Sequence, residues 1–209
     1  MNNEYFCFVK IPSKHIENAV DQISSLPGIG KRTALRLVLQ LLNRTPEEVQ
    51  DFSNAFTAMK ENVKKCTSCG NVSDLTVCSI CSNPNRDTSL VCVVEDIRDI
   101  LAIEATESYK GLYHVLGGII SPMDGIGPSD LNIDNLIERV SNDNISEVIF
   151  ALSATMEGDT TNFYIYKKLK EFNIPISTLS RGVAIGSELQ YADEITLSRS
   201  LVNRQPFEV

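Results

Sequence analysis

The sequence predicts a multidomain α/β protein with a helical N-terminal region, a small four-cysteine metal cluster, and a parallel α/β sheet domain that carries a C-terminal extension. Three observations carry that prediction. Residues 14–62 repeat apolar side chains at helical spacing, with turn residues between the repeats. Two C-x2-C pairs, Cys66 with Cys69 and Cys78 with Cys81, fall within sixteen residues. From residue 90 onward, short apolar runs alternate with helical patterns, as strands and crossover helices do in a parallel sheet. The 209 residues allow one large domain or two to three small ones. The expected divisions are an arm at 1–12, helices at 13–64, the cysteine cluster at 65–84, the α/β domain at 88–180 and the extension at 181–209.

Residues 1–12 mix aromatic and polar side chains and end at Pro12, which suits a short strand or an arm. Ser13 is placed to cap a first helix over about 14–25, with Ile16, Val20 and Ile23 on one face. Pro27-Gly28 stops it. A second helix runs from about Lys31 to Leu42, with Leu35, Val38, Leu39 and Leu42 as its expected buried side. Thr45-Pro46-Glu47-Glu48 opens a third: Thr45 caps, Pro46 takes the first helical position and Glu48 completes a capping box. That helix carries Val49, Phe52, Phe56 and Met59. Asn83-Pro84-Asn85-Arg86 is the expected linker to the sheet domain. There, strands are expected at 90–94, 112–116, 147–152 and 174–179, with helices after 94, near 131–142 and at 160–172.

The charge is uneven. Residues 1–65 hold 9 Lys/Arg against 7 Asp/Glu, whereas residues 66–209 hold 10 against 20, within a net charge of −8. Any nucleic-acid surface is therefore expected in the N-terminal part, with the acidic remainder repelling phosphate. No apolar run is long enough to span a membrane and the N-terminus lacks a signal peptide's pattern. Cys7 and Cys92 stand apart from the clustered four, which suits a reducing cytoplasm better than a disulfide scaffold.

Two C-x2-C knuckles can place four thiolates around one tetrahedral zinc, and Gly70 follows the first pair where a knuckle needs positive φ. The bland alternative is a pair of disulfides or a set of buried thiols. Only eight residues separate Cys69 from Cys78, too few for a recognition helix. Upstream, Leu26-Pro27-Gly28-Ile29-Gly30 joins two helices through a glycine turn that leaves backbone N–H groups at a helix N-terminus, a setting that favours a phosphate. Lys31, Arg32 and Arg36 add positive charge, and Arg32 and Arg36 share one helix face. An ordinary helix–turn–helix packing unit with solvated basic residues is the competing reading. No residue here reads base edges, so binding would be independent of sequence.

The hairpin resembles the helix-hairpin-helix motif, and the chain as a whole resembles the bacterial RecR family of recombination mediators. The likeness rests on the hairpin, the four cysteines, Val93-Val94-Glu95, Tyr113-His114-Val115-Leu116-Gly117-Gly118, Ile120-Ser121-Pro122 and Gly125-Ile126-Gly127-Pro128. It continues through Glu157-Gly158-Asp159-Thr160-Thr161, Arg181-Gly182 and Tyr191-Ala192-Asp193-Glu194, so that it covers about residues 12–204. The resemblance implies a protein that works with RecO, and in some settings RecF, to load RecA on single-stranded DNA at gaps. It implies a homo-oligomer, with a ring-shaped tetramer favoured, and a cytoplasmic, nucleoid-associated location. It places Arg32 and Arg36 on DNA-contact positions and Cys66, Cys69, Cys78 and Cys81 on zinc ligands. Two departures stand out: Ser153-Ala154 replaces the family's usual Asn-Pro, which bears on the rigidity of the acidic loop, and residues 1–10 extend beyond the usual start.

Glu95 lies just past one expected strand, and Glu157 and Asp159 follow another, an arrangement similar to the Toprim domain of topoisomerases, primases and certain nucleases. Three carboxylates at strand ends have the donor set for a hydrated Mg2+, with Glu95 available for acid–base work. Carboxylates at a helix N-terminus are also favoured with no metal at all. Asp124 and Asp130 match no catalytic position. The chain has no room for a topoisomerase's tyrosine domain and no nucleotide machinery for a primase. The resemblance implies assembly and partner binding without catalysis, with structural zinc required and Mg2+ not; a metal-dependent Toprim nuclease is the alternative. Residues 192–197 could form the acidic strand of a nucleotide site, but the chain has no G-x-x-x-x-G-K-[ST] loop, so this stretch is read as structural. Residues 202–209 are expected to pack on a neighbouring subunit.

Overall fold

The computed structural model describes residues 11–204 and Pro206; the arm expected at 1–12 lies almost wholly outside them. The chain divides into two compact units, Met1–Asn62 and Val63–Val209.

The first unit holds three helices: α1 (Lys14–Ser24), α2 (Lys31–Leu42) and α3 (Pro46–Asn62). Ser13 caps α1, its hydroxyl accepting from the Ile16 N–H. The capping box at α3 is reciprocal: the Thr45 N–H donates to Glu48 Oε2 at 2.9 Å and the Glu48 N–H to Thr45 Oγ1 at 3.3 Å. Val20, Ala34 and Val38 form the core, with Ile16, Ile23 and Leu35 packed around them. The expected buried side of α2 is therefore corrected. Leu39 and Leu42 are exposed at 43% and 64%, while Ala34 is fully buried. Ala34 and Val38 are one turn apart and make a narrow seam against the eleven residues of α1, and the small alanine lets the helices approach. The apolar stripe of α3 is also exposed, and Phe52 and Phe56 pack on each other edge to face.

The second unit begins with a two-stranded ribbon, β1 (Lys64–Lys65) against β2 (Val72–Ser73), around the cysteine loop. The α/β domain follows in the order β3 (Asp87–Val94), α4 (Ile97–Glu104), β4 (Gly111–Val115), α5 (Ile133–Asn142), β5 (Glu147–Phe150), α6 (Met156–Leu169), β6 (Ile176–Thr178) and α7 (Glu194–Val202). Its four strands lie in the order β4-β3-β5-β6, all parallel, with Cys92 opposite both Tyr113 and Ile149. The pleat sends Val91 and Val93 into a core with Leu136, Ile165 and Leu169, and Cys92 and Val94 into a second with Ile100 and Tyr113. Both faces of β3 are thus buried, which accounts for its unbroken apolar run. Each fully buried side chain such as Leu136 or Ile165 contributes roughly 1.5–3 kcal/mol. Cys92 is one of these core residues, and burial pushes its thiol up to about 12.

Residues 83–86 lie between the cysteine loop and β3; Arg86 there is partly buried, paired with Glu104, and donates to the Tyr109 and Gly111 carbonyls. The stretch 192–197, read as structural rather than as the strand of a nucleotide site, is helical: the Asp193 carboxylate accepts from the Thr196 N–H and starts α7.

His114 on β4 is fully buried, with Nε2 2.7 Å from the Asn132 carbonyl oxygen, and burial brings its pKa down to about 4 from 6.5. Across that window the unfolded chain holds more protons than the folded one. Stability therefore rises with pH from 4 to 6.5 and is lost as pH falls. The expected contribution is on the order of 3 kcal/mol between those limits. Denaturation midpoints from pH 4 to 7 should show a shallower acid decline in His114→Gln than in the parent, and parallel curves would contradict this. Metal content measured at each pH separates the loss of zinc from the titration of His114.

Candidate metal centre and nucleic-acid interface

The four thiols of Cys66, Cys69, Cys78 and Cys81 converge, their Sγ atoms all within 4.8 Å of one another, and none is in a disulfide. Cys69 and Cys78 Sγ are 3.6 Å apart. A tetrahedron of sulfurs about 2.3 Å from zinc has edges of about 3.8 Å, so the set fits that ion. Local hydrogen bonds build each knuckle. The Gly70 N–H donates to the Cys66 carbonyl at 2.9 Å, and the Ser82 N–H to the Cys78 carbonyl at 3.0 Å. The Cys78 N–H points at Cys66 Sγ at 3.3 Å. The crowded thiols do not share protons evenly. A hydrogen bond with Cys69 draws Cys81 down to about 5, while the same bond and burial push Cys69 well above the thiol range. Zinc binding would displace the remaining protons.

The loop is seated on the sheet. The Val115 N–H of β4 donates to the Cys69 carbonyl at 2.7 Å, and Ile80 packs against both the thiols and the core around Cys92. Gly70 has φ +76°, and a Cβ there would lie 2.8 Å from Asn132 Nδ2 and 3.0 Å from the Val115 oxygen. The left-handed backbone alone disfavours other residues by roughly 1–2 kcal/mol. Gly70→Ala is expected to lose about 2–3 kcal/mol once the contact with β4 is included. A melting-temperature drop of several degrees with metal content retained would bear this out, and an unchanged melt would contradict it.

In the first unit, Gly28 at φ +80° lets the chain turn, and the Ile29 N–H closes the turn on the Leu26 carbonyl. Gly30 is the N-cap of α2 and has no side chain with which to cap it. The first N–H groups of α2 therefore lack intrahelical partners, at the positive end of the helix dipole. Lys31 reaches back to Asp21 at 3.3 Å, but both side chains are mostly exposed, so the pair is weak. Arg32 and Arg36 are exposed and make no salt bridge among the described residues.

Glu95 directly follows β3, and Glu157 and Asp159 lie in the first turn of α6 after β5, so they flank the point where the strand order reverses. Burial, then the neighbouring Asp99 and Asp96 charges, raise the Glu95 carboxyl. Asp159 is engaged differently. Arg181 donates to its two carboxylate oxygens at 2.6 and 3.1 Å, and Arg199 of α7 lies 3.6 Å away. The Arg181 hydrogen bonds hold Asp159 below the usual carboxylate range. Among the described residues only the four cysteines gather ligand atoms closely enough to hold a metal ion, and these three carboxylates do not. Arg181 and Arg199 were missed as partners of this site because nothing local in the sequence connects them to Asp159.

Four family models match in chain order: the RecR helix-hairpin-helix at 16–60, the RecR four-cysteine zinc finger domain at 63–83, the Toprim domain at 89–180 and the RecR C-terminal region at 182–205. The recombination protein RecR of Bacteroides thetaiotaomicron is 57% identical over 207 residues, 99% of this chain and 98% of that protein. The chain belongs to the RecR family. RecR proteins of Flavobacterium johnsoniae and Porphyromonas gingivalis are 58% and 55% identical, over 96% and 95% of this chain and 97% and 96% of their own lengths. The RecR zinc-finger match spans all four converging thiols, and the RecR hairpin match spans Lys31, Arg32 and Arg36. No helix among the described residues is long and apolar enough to cross a membrane.

Proposed function

We propose that the chain is a DNA-binding mediator of recombinational repair with no catalytic step of its own. The observation that carries this is the uncapped start of α2. There, N–H groups without intrahelical partners and the exposed Arg32 and Arg36 on one face of α2 offer positive charge to a phosphate, and no carboxylate among the described residues pairs with the arginines. Lys31 adds to it once released from Asp21. The contacts are to phosphate and so independent of sequence. A single hairpin with three cations binds weakly in a chain of net charge −8, so useful affinity comes from an oligomer, a tetramer by preference, presenting several hairpins to one strand. RecO, and RecF in some settings, are the partners in this reading, and the product is RecA loaded at single-stranded gaps in the cytoplasm. Cys66, Cys69, Cys78 and Cys81 would hold a zinc whose role is structural.

The rival is a Mg2+-dependent Toprim nuclease, with Glu95 as the acid–base group. The pairing of Asp159 with Arg181 and Arg199 favours the mediator, because those guanidinium groups occupy the carboxylate that a cation would need. The test incubates the protein with gapped and supercoiled DNA, with and without Mg2+, and scores both mobility and nicking. A shift without cutting is expected. Cutting that is lost in Glu95→Gln would support the nuclease instead.

A further inference from the structure

The two edges of the four-stranded sheet are treated differently. At one edge, β4 is buried along its whole length and the cysteine loop accepts from its Val115 N–H. At the other, β6 is half-buried to exposed, and among the described residues no strand lies on its far side. Leu179 donates to the Phe150 carbonyl and the Pro175 carbonyl accepts from Val148, so alternation along the strand turns the Ile176 and Thr178 N–H groups outward, away from β5. Beside this edge lies a cleft of about 750 Å³. One wall is β6 and the residues after it; the other is α6 with the exposed rings of Phe163 and Tyr166; Arg181 and Arg199 lie at one end.

The charge in and around the cleft runs against that of the rest of the unit. Residues 63–209 hold 12 basic against 20 acidic side chains, yet the cleft is lined by two arginines and one carboxylate, Asp159, with the Glu147 carboxylate beside it accepting from the Ser177 hydroxyl. Lys167 adds a further cation, its Nζ 4.6 Å from the Phe163 ring centroid. Arg199 is only partly committed to Asp159 and remains 44% exposed.

We propose that the open edge of β6 is a docking site for an extended, acidic segment of a partner protein, which adds to the sheet as a fifth strand. The outward N–H and C=O groups supply the main-chain bonds, Phe163 and Tyr166 receive alternate apolar side chains, and Arg199 receives a carboxylate. The residues of this surface belong to the second unit and the hairpin assigned to DNA to the first, and the inference does not depend on that assignment.

The test is fluorescence polarisation with three labelled nonapeptides, in which aspartate alternates with valine, leucine or phenylalanine, each paired with a lysine-for-aspartate control. At least one acidic peptide is expected to bind, with the lysine versions at least tenfold weaker. Thr178→Pro removes an N–H that has no backbone partner among the described residues and should weaken binding at least tenfold, whereas Thr178→Val keeps the N–H and should bind as the parent does. Arg199→Gln should weaken binding several-fold and provides an independent test if the proline disturbs the edge. The proposal is overturned if no acidic peptide binds, if the lysine peptides bind as well, or if a folded Thr178→Pro protein binds unchanged. Displacement of the peptide by oligothymidine would assign the cleft to nucleic acid. A fall in molar mass by light scattering on Thr178→Pro would assign the edge to a second copy of the chain. Either result would also overturn the proposal.

Discussion

Cys69→Ala is expected to abolish metal binding and to unfold the cysteine loop before it affects anything else. Residues 66–81 bury little apart from the thiols and Ile80, so the loop has almost no core of its own. A structural zinc of this type supplies about 10–16 kcal/mol of apparent binding energy at neutral pH. That is comparable with the whole stability of an ordinary domain, about 5–15 kcal/mol. The damage should not stay local, because the Cys69 carbonyl accepts from the Val115 N–H and Gly70 is pressed against β4. The expected result is one zinc per chain in the parent by plasma mass spectrometry, none in the variant, and a loss of cooperative melting or of assembly. Chelation of the parent under denaturing stress should reproduce it. A stable, normally assembled Cys69→Ala protein that fails only at DNA binding would overturn the structural role and make the loop a DNA reader. The basic residues near the loop argue against that outcome: Lys64 and Lys65 are exposed, but Arg86 is taken up by Glu104.

Replacing Arg32 and Arg36 together with glutamate is expected to eliminate measurable DNA binding while leaving the fold intact. Both side chains are exposed on the face of α2 opposite Ala34 and Val38, so the core loses nothing. The swap changes the charge of the hairpin by four and places one of the new carboxylates, at position 32, in the first turn of α2 beside its free N–H groups. At a few phosphate contacts per hairpin, affinity should fall by at least about a hundredfold at low salt. Circular dichroism should superimpose on the parent, and the salt dependence of the remaining binding should flatten. Retained affinity in a folded double variant would remove the hairpin from the DNA surface. Arg32→Lys with Arg36→Lys should retain much of the binding, because phosphate attraction needs charge more than a particular fork geometry.

Much of this was legible in the sequence because it depends on residues that are close in the chain. Ser13, and Thr45 with Glu48, announced helix starts that the structure reproduces atom by atom. Gly70 was expected at positive φ from its place after a knuckle, and it is there. The cysteine spacing implied one metal group, and four Sγ atoms within 4.8 Å bear that out. The failures also have a common cause. Leu39 and Leu42 read as core because they extend an apolar stripe, but α1 is too short and too narrow to cover them. Arg86 lies in the expected linker, and its partner Glu104 comes from another element.

The order of helices and strands, the four thiols and the cationic hairpin all follow from the chain read in one dimension. Caps, turn glycines, periodicity and motif spacing act within a few residues and need no knowledge of neighbours. Folding adds three things that no such reading contains: the cysteine loop braces β4, no strand among the described residues covers the outer edge of β6, and Arg181 and Arg199 take Asp159. Each of those depends on which elements a sheet of order β4-β3-β5-β6 brings side by side, and strand order leaves no local mark on the chain.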